Sequence, residues 1–555
     1  MKKLILLLVL LLAGGSGAVL YFRHVAPMSG SEYYADYLPA DTLAAVTLLD
    51  LQGMTAAFPE SALGSFFAKP TVREILAEQG ASEDAIIKYE EFADGAADLL
   101  TNPAIEQLFG DDITFALLAP DIARLNTAPE AELKRMLLAF GSSAAAESAA
   151  MLARLTLSGF STETVNGLEL TRIRLDNNEY LYGHAQDGVI ILSYSPDTIT
   201  TALRQKAAGG GLNALPAFQA AKKFWTERAA AASCYVKFYT NPEKISKVAA
   251  ASRQPEFGTA AALLRGVQIW SGVAAVAQGD VQIISRASYD LTGRGQRQPP
   301  RQNNMALHLL NEKTLLYGWV ADLNNELFAA AGPKQYQMMD AAVQEQLGLS
   351  LQELLAALGP QAGLTMGEVT SIGLFPLPRL NLFAQIREPE SARRLAARLR
   401  QKMAERGFSE KTKEAGGNSI TYWPLLPPEA AHPALALTDQ MLYFANGEAA
   451  LQSVMTEEGR GLPQFWRELF GPELAAQFSA ANSLALVVRP ALLAAAAQKT
   501  TNWAATVLPP TGLLAAEKLR AAVLNLLRSL NFTAVWSRVE ADHADWVLVL
   551  RRNAV

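Results

Sequence analysis

One segment of the chain is spelled twice, and nothing else in it constrains the fold as much. The first version, EYLYGHAQDGVIILSYSPDTITTALR, runs from Glu179 to Arg204, followed by Gly209-Gly210-Gly211, LNALPAFQAAKKFW and SCYVKFY. The order returns as PALALTDQMLYFANGEAALQSVM, GLPQFWRELF and NSLALVV. Leu215-Pro216-x-Phe218 matches Leu462-Pro463-x-Phe465, and Cys234–Phe238 falls in step with Ser483–Val487. Asp187-Gly188 is the dipeptide of a tight hairpin turn, so the segment reads as strand, turn, strand, helix, helix, strand. A period of about 250 residues means duplicated domains, because solenoid repeats have periods of roughly 20–50.

Outward from this segment the rest of each unit can be traced. Tyr37-Leu38-Pro39-Ala40-Asp41 opens the first, with strands expected at Thr42–Leu51, Ile113–Pro120 and Leu133–Phe140. Helices are expected from Ser61 to Phe109, broken at Pro70 and Pro103, and over Ala144–Leu157. TVNGLELTRIRL carries a second hairpin signal at Asn166-Gly167. In the second unit Thr314–Asp322 stands for the first strand, Asn324–Leu358 for helices, and Ala362–Met366 and Leu380–Ile386 for strands. A helix over Pro389–Arg406 is closed by Gly407 and followed by the extended NSITYWPL. Each unit ends on a strand pair after an amphipathic helix, one pair following Arg265 and the other Arg528.

The expected fold class is therefore α+β: a tandem duplication of a mostly antiparallel sheet domain with helices packed on it, preceded by one transmembrane helix. The boundaries are 1–36 for anchor and tether, 37–290 for the first unit, 291–304 for a linker and 305–555 for the second unit. The linker, LTGRGQRQPPRQNN from Leu291, is polar and lacks apolar periodicity. Its Arg294, Arg297 and Arg301 read as solvated, with contact to anionic lipid or an acidic partner as the other reading.

Composition agrees with a globular protein of more than one core: 555 residues, 50% hydrophobic and 18% charged. A net charge of −6 argues against a nucleic-acid-binding surface. The single cysteine, Cys234, leaves no intrachain disulfide to form.

Lys2 and Lys3 precede nineteen uncharged residues, Leu4 to Phe22. As a helix these span roughly 28 Å, close to the hydrocarbon thickness of a bilayer. Leu4–Ala13 with Ser16-x-Ala18 also fits a cleaved signal peptide. The continuing Val19-Leu20-Tyr21-Phe22, with aromatics where an interface would lie, favours an uncleaved signal anchor. Either reading places the body outside the cytoplasm, and the favoured anchor makes the chain a single-pass protein of a bacterial inner membrane. The leader has no lipoprotein cysteine.

No catalytic, cofactor or metal motif accompanies the repeat. Five histidines are present: His24, His184, His308, His432 and His543. Asp542-His543-Ala544-Asp545 offers three ligand types, but in a hairpin turn such side chains are expected to diverge. Cys234 reads as a strand residue, and Gly209–Gly211 as flexible linkage between helices instead of a phosphate loop. The neighbouring pairs Asp111-Asp112 and Glu90-Glu91 point apart on either regular structure and read as solvated charges. Glu388–Lys413, with Arg393, Arg394, Arg398, Arg400, Lys402 and Arg406, reads as a helix laying one apolar stripe on a sheet. The competing reading is a helix for a membrane surface or an acidic partner. Leu513–Leu530 reads as a core-packing helix.

Four features, YLPADTLAAVTLLDL, the helix and extended segment over Leu152–Glu169, the hairpin DGVIILSYSPDTITTAL and the L-x-x-x-P-x-F helix entry, carry a resemblance. With them the chain resembles an uncharacterised family of membrane-anchored bacterial extracytoplasmic proteins. That resemblance implies surface localisation and no known chemistry, catalytic residue or cofactor. The functional expectation is a non-enzymatic, membrane-tethered binding or scaffold protein of the envelope, partnered by the membrane through residues 4–22 and by envelope proteins or lipid. A carrier of lipid or another apolar ligand is the first alternative; an extracytoplasmic hydrolase is the second.

Overall fold

The computed structural model describes residues 34–50, 68–78, 81–101, 112–142, 160–175, 179–229, 234–252, 267–277, 280–289, 302–323, 333–372, 375–425, 432–457, 461–496 and 530–552. The chain divides into two compact units, Met1–Gln296 and Arg297–Val555. The expected anchor at 4–22, the linker as far as residue 301, the helix Ala144–Leu157 and all but the last residue of the helix Leu513–Leu530 lie outside the described residues. So do residues 61–67 and Pro103. Among the described residues no helix is long and apolar enough to cross a membrane.

In chain order the first unit contains β1 (Ala44–Leu49), α1 (Lys69–Glu78), α2 (Glu83–Thr101), β2 (Asp112–Leu117), α3 (Ile122–Thr127), α4 (Pro129–Met136) and β3 (Leu137–Ser142). β4 (Phe160–Val165), β5 (Leu168–Arg174), β6 (Tyr180–Gln186), β7 (Val189–Ser193), α5 (Pro196–Ala208) and α6 (Pro216–Ala229) follow. β8 (Cys234–Thr240), α7 (Pro242–Ala251), β9 (Val267–Ala277) and β10 (Asp280–Tyr289) complete it. The strands pair antiparallel in the order β4-β5-β6-β7-β3-β2-β1-β8-β9-β10.

The second unit contains β11 (Leu316–Val320), α8 (Pro333–Leu347), α9 (Leu351–Ala357), β12 (Leu358–Ile372), β13 (Phe375–Ile386) and α10 (Pro389–Glu405). β14 (Lys411–Ala415), β15 (Asn418–Tyr422), β16 (Ala434–Leu437), β17 (Met441–Ala445) and α11 (Glu448–Glu457) come next. α12 (Gln464–Phe470), α13 (Pro472–Ser479), β18 (Leu484–Val488), β19 (Leu530–Val539) and β20 (His543–Arg552) end it. Its order is β14-β15-β16-β17-β13-β12-β11-β18-β19-β20, again antiparallel and position for position that of the first unit. The α+β class with a large antiparallel sheet is as expected.

Turn chemistry explains the hairpins. Asn166-Gly167 (φ 52° and 78°), Asp187-Gly188 (53° and 74°) and Gly416-Gly417 (58° and 79°) supply the two positive-φ residues of a strand-matching turn. The β16–β17 turn is built differently: the Thr438 hydroxyl accepts from the Gln440 and Met441 amides at 3.3 and 3.0 Å.

Several boundaries differ from expectation. Leu133–Met136 is the last turn of α4, and β3 starts only at Leu137. Leu133 and Met136 recur at helical spacing and bury with Leu43 and Leu125, so packing favours the helix there. Pro70 sits in the first turn of α1 and does not break it, a place where its missing N–H has no partner to lose. β12 and β13 outrun the expected strands. Pro376 and Pro378 are tolerated because β17 pairs with β13 only over Asn381–Gln385, leaving their side of the strand an edge. The expected helix Pro389–Arg406 is present as α10, closed by Gly407 (φ 83°), and the rest of the basic stretch, Lys411–Lys413, lies in β14 and not in the helix.

On one face of each sheet lies an aromatic core. In the first unit Phe140 and Tyr239 of the sheet are buried with Phe218, Phe224 and Trp225 of α6. In the second, Phe470 and Phe478 of α12 and α13 meet Trp536 at 6.2 and 5.6 Å. Gln302 and Asn304, at the end of the expected linker, are held into the second unit. Gln361 donates to Gln302 at 2.9 Å and accepts from Trp319 Nε1 at 3.0 Å, while Tyr317 donates to Asn304 at 2.9 Å. Full burial pushes the Tyr317 hydroxyl pKa far up.

Candidate functional site

The second face of the sheet in the second unit carries a partly exposed apolar row. β11, LYGWV, sends Tyr317 and Trp319 into the core and Leu316, Gly318 and Val320 to the other side. Cross-strand register carries that row across the sheet: Phe444, Leu382, Leu364, Gly318, Leu486, Val535 and Leu548 stand directly opposite one another in sequence of strands. Leu364 is 36% exposed and Leu382 41%, although they face each other on adjacent strands. At the β16–β17 side the same face is closed by α9 and α10, where Ala384, Leu435 and Leu442 pack with Leu395 and Ala396. Gly318 makes a notch in the middle of the row. A Cβ added there would meet only Leu486 Cδ1, at 3.8 Å.

In the first unit bulkier side chains occupy the equivalent place, although Trp270 there is still 38% exposed. Val46 replaces the glycine in the central strand, opposite Phe115 on one side and Phe238 on the other. Phe238 lies over Gly272, whose Cβ would come within 2.4 Å of its ring, and meets Trp270 edge-on at 5.9 Å.

A second cluster occupies the β14–β15 corner. Glu448, at the start of α11, is buried; Lys413 pairs with it at 3.0 Å and His432 Nδ1 at 3.3 Å, and the His432 ring stacks on Tyr422 at 5.9 Å. Counted from the hairpin turn, Lys413 and Tyr422 stand where the first unit has Glu163 and Arg172. There Arg172 pairs with Glu163 at 3.2 Å and covers the Tyr180 ring at 4.7 Å. Each corner pairs its charged side chains with one another.

The remaining residues singled out in the sequence are dispersed. His184 sits inside β6, its ring nitrogens against the Glu169 carbonyl and Gln186. His308 is buried beside β11, with Nδ1 on the Met305 carbonyl at 3.2 Å and Nε2 unpaired; burial pushes its pKa down to about 4. Asp542 and Asp545 do not diverge from His543: they flank it, at 2.7 Å from Nδ1 and 3.9 Å from Nε2. Each carboxylate answers a different ring nitrogen, so the three share no common point. Among the described residues no three His, Cys, Asp or Glu side chains gather as a metal set. Glu90 pairs with Arg73 at 2.9 Å, Glu91 is exposed, and Asp112 is buried at the start of β2. Cys234 opens β8. The glycine run is not flexible linkage. Gly209 (φ 68°) caps α5, and at Gly211 a Cβ would strike the Leu38 carbonyl at 2.3 Å. His24, Asp111, Arg294, Arg297 and Arg301 lie outside the described residues.

The open face was missed by motif reading because it is made of leucine, valine and glycine. The signal available was continuous apolarity: LYGWV, LALVV and WVLVL carry apolar residues on both alternating sets, as strands covered on both faces do.

No curated protein matches the sequence. Among solved structures it is similar to TP0453. Crystal form III gives 9% identity and a TM-score of 0.23, over 49% of this chain and 83% of that one. Form I gives 9% and 0.24, over 48% and 82%. The family model described as "Protein of unknown function (DUF3352)" matches residues 4–550, and the chain belongs to that family.

Proposed function

We propose that this member of the DUF3352 family is a non-enzymatic extracytoplasmic binding protein, tethered to a bacterial inner membrane through residues 4–22. In this reading its second unit holds an apolar ligand, of which a lipid acyl chain is the simplest, on the open sheet face. One observation carries it: the row Leu382–Leu364–Gly318–Leu486, apolar, partly exposed and notched in the middle of a sheet whose other face is already full. An antiparallel sheet with one face in water normally alternates apolar and polar residues, and this one does not. Burying such a row under an acyl chain gains roughly 25 cal/mol per Å² of apolar surface removed from water. We also read the two units as a tandem duplication, with a tether before residue 37 and a linker over 291–304; the shared strand order supports that reading. The carrier form is preferred to a scaffold because the surface offers apolar area without polar groups to specify a protein partner.

Mass spectrometry of organic extracts from gently purified full-length protein tests the proposal, with Gly318→Leu as the variant that fills the notch. The expected result is a bound lipid species in the wild type and at least a tenfold loss in the variant. Protein that purifies empty and takes up no added lipid overturns it.

A further inference from the structure

The outer side of α10 carries positive charge that the fold does not use. Its inner side is accounted for by Ala392, Leu395 and Ala396, buried in the core beneath it. From Arg387 to Arg406 the sequence has seven basic and three acidic residues, on a chain whose net charge is −6. Arg393 pairs with Glu390 at 2.7 Å, Arg400 with Glu410 at 2.5 Å and Lys402 with Glu405 at 3.0 Å. Arg387, Arg394 and Arg398 have no carboxylate within ion-pairing distance among the described residues. They donate instead to the Leu323 carbonyl at 3.5 Å, the Ser391 hydroxyl at 2.7 Å, and the Leu347 carbonyl and Gln401 amide at 3.4 Å. The field of Arg398 reaches Glu405, whose carboxyl is held low first by its hydrogen bond from Lys402. All three arginines are exposed; Arg394 and Arg398, four residues apart, share one side of α10, and Arg387 stands two residues before the helix begins. The fold itself does not ask for them, since the expected helix at the same place in the first unit, Ala144–Leu157, has only Glu147 and Arg154 as charges.

We infer that this arginine stripe is a docking surface for the phosphate groups of anionic phospholipids. The planar guanidinium fork matches phosphate in a bidentate way, and each basic side chain near an anionic membrane contributes about 1 kcal/mol. A protein partner fits less well, because interfaces are anchored by aromatic or large aliphatic side chains and the exposed apolar residues of α10 are only Pro389, Ala397 and Ala404. The inference is independent of the apolar ligand on the sheet face.

The test compares full-length protein with the triple variant Arg387→Gln, Arg394→Gln, Arg398→Gln on phosphatidylcholine vesicles and on vesicles with part of that lipid replaced by phosphatidylglycerol. The readout is the ratio of partitioning between the two vesicle types, in which insertion by the leader cancels. The wild-type ratio is expected to exceed the variant's by about tenfold or more at low salt, and the gap to shrink as salt screens it. A triple lysine variant should retain most of the effect, and unchanged thermal melting of all three proteins shows that folding is not the cause. Equal ratios overturn the inference. Arginine-dependent capture on polyglutamate with equal vesicle ratios also overturns it, in favour of an acidic protein partner.

Discussion

The two units share a strand order and differ in what lies on the second face of the sheet. The first has Val46 between Phe115 and Phe238, with Trp270 closing against Phe238; the second has Gly318 between Leu364 and Leu486. The common order is therefore compatible with two fillings of that face. What the order does require is on the other side, where aromatic side chains from the helices lock each sheet. A face free of that duty can be filled in one unit and left open in the other.

The sharpest way to break the comparison is through the glycines. At Gly363 a Cβ would lie 2.1 Å from the Gly318 carbonyl and 2.5 Å from the Phe383 ring, against backbone that cannot give way. Gly363→Ala is expected to cost more than about 3 kcal/mol in urea titration, whereas Gly318→Val, with open space, should stay within about 1 kcal/mol. Similar losses for both would mean that the notch is not open.

Next come the phenylalanines of the repeated Leu-Pro-x-Phe. Phe218 is buried and packs edge-on against Trp225 and Tyr239 at 5.6 and 5.2 Å. Phe465 is half-buried beneath Arg489, and its neighbour Trp466 takes the core place, donating to the Asn311 carbonyl at 3.0 Å. Phe218→Ala should cost roughly 3–5 kcal/mol and Phe465→Ala about 1 kcal/mol. The reverse order would restore the equivalence that the sequence match suggests.

Acid should separate the units as well. His308 has its pKa lowered to about 4 from 6.5, so the unfolded chain takes up the proton first as pH falls. The stability tied to neutral His308 is complete above pH 6.5 and is lost between about 6.5 and 4, about 3 kcal/mol in all. Denaturant midpoints across that range should fall in the wild type and flatten in His308→Leu; parallel curves would remove the histidine from the account. The smallest effect is expected at the corners. Glu448→Gln, at a buried carboxylate paired with Lys413 and in contact with the His432 ring, should cost about 1–2 kcal/mol, and Glu163→Gln, on a half-exposed pair, less than about 1 kcal/mol. A double-mutant cycle with Lys413→Met reads the coupling directly.

The hairpins were legible in the sequence because a turn needing positive φ leaves Asn-Gly or Asp-Gly behind it. Leu133–Met136 was not, since LKRMLLAF holds the end of a helix and the start of a strand with no break between them. The corner was illegible for another reason: Lys413, Tyr422, His432 and Glu448 come from separate stretches and meet only through register. For the open face, alternation in LYGWV shows apolar residues on both sides but says nothing of which side is covered.

The position of β1 has a consequence for how the chain comes to be folded. This strand, AAVTLL, lies in the middle of its sheet, with β2 on one flank and β8 on the other. Thr47 pairs with Lys237, which a ribosome adds 190 residues later. At about 5–20 residues per second that is a wait of roughly 10–40 s, during which an apolar strand has one hydrogen-bonding edge bare. An edge of this kind invites pairing with any other extended chain. β11 faces the same delay, since Gly318 waits for Leu486. Hydrogen exchange on ribosome-arrested chains that stop short of β8 or β18 should therefore find β1 and β11 protected on one flank and open on the other.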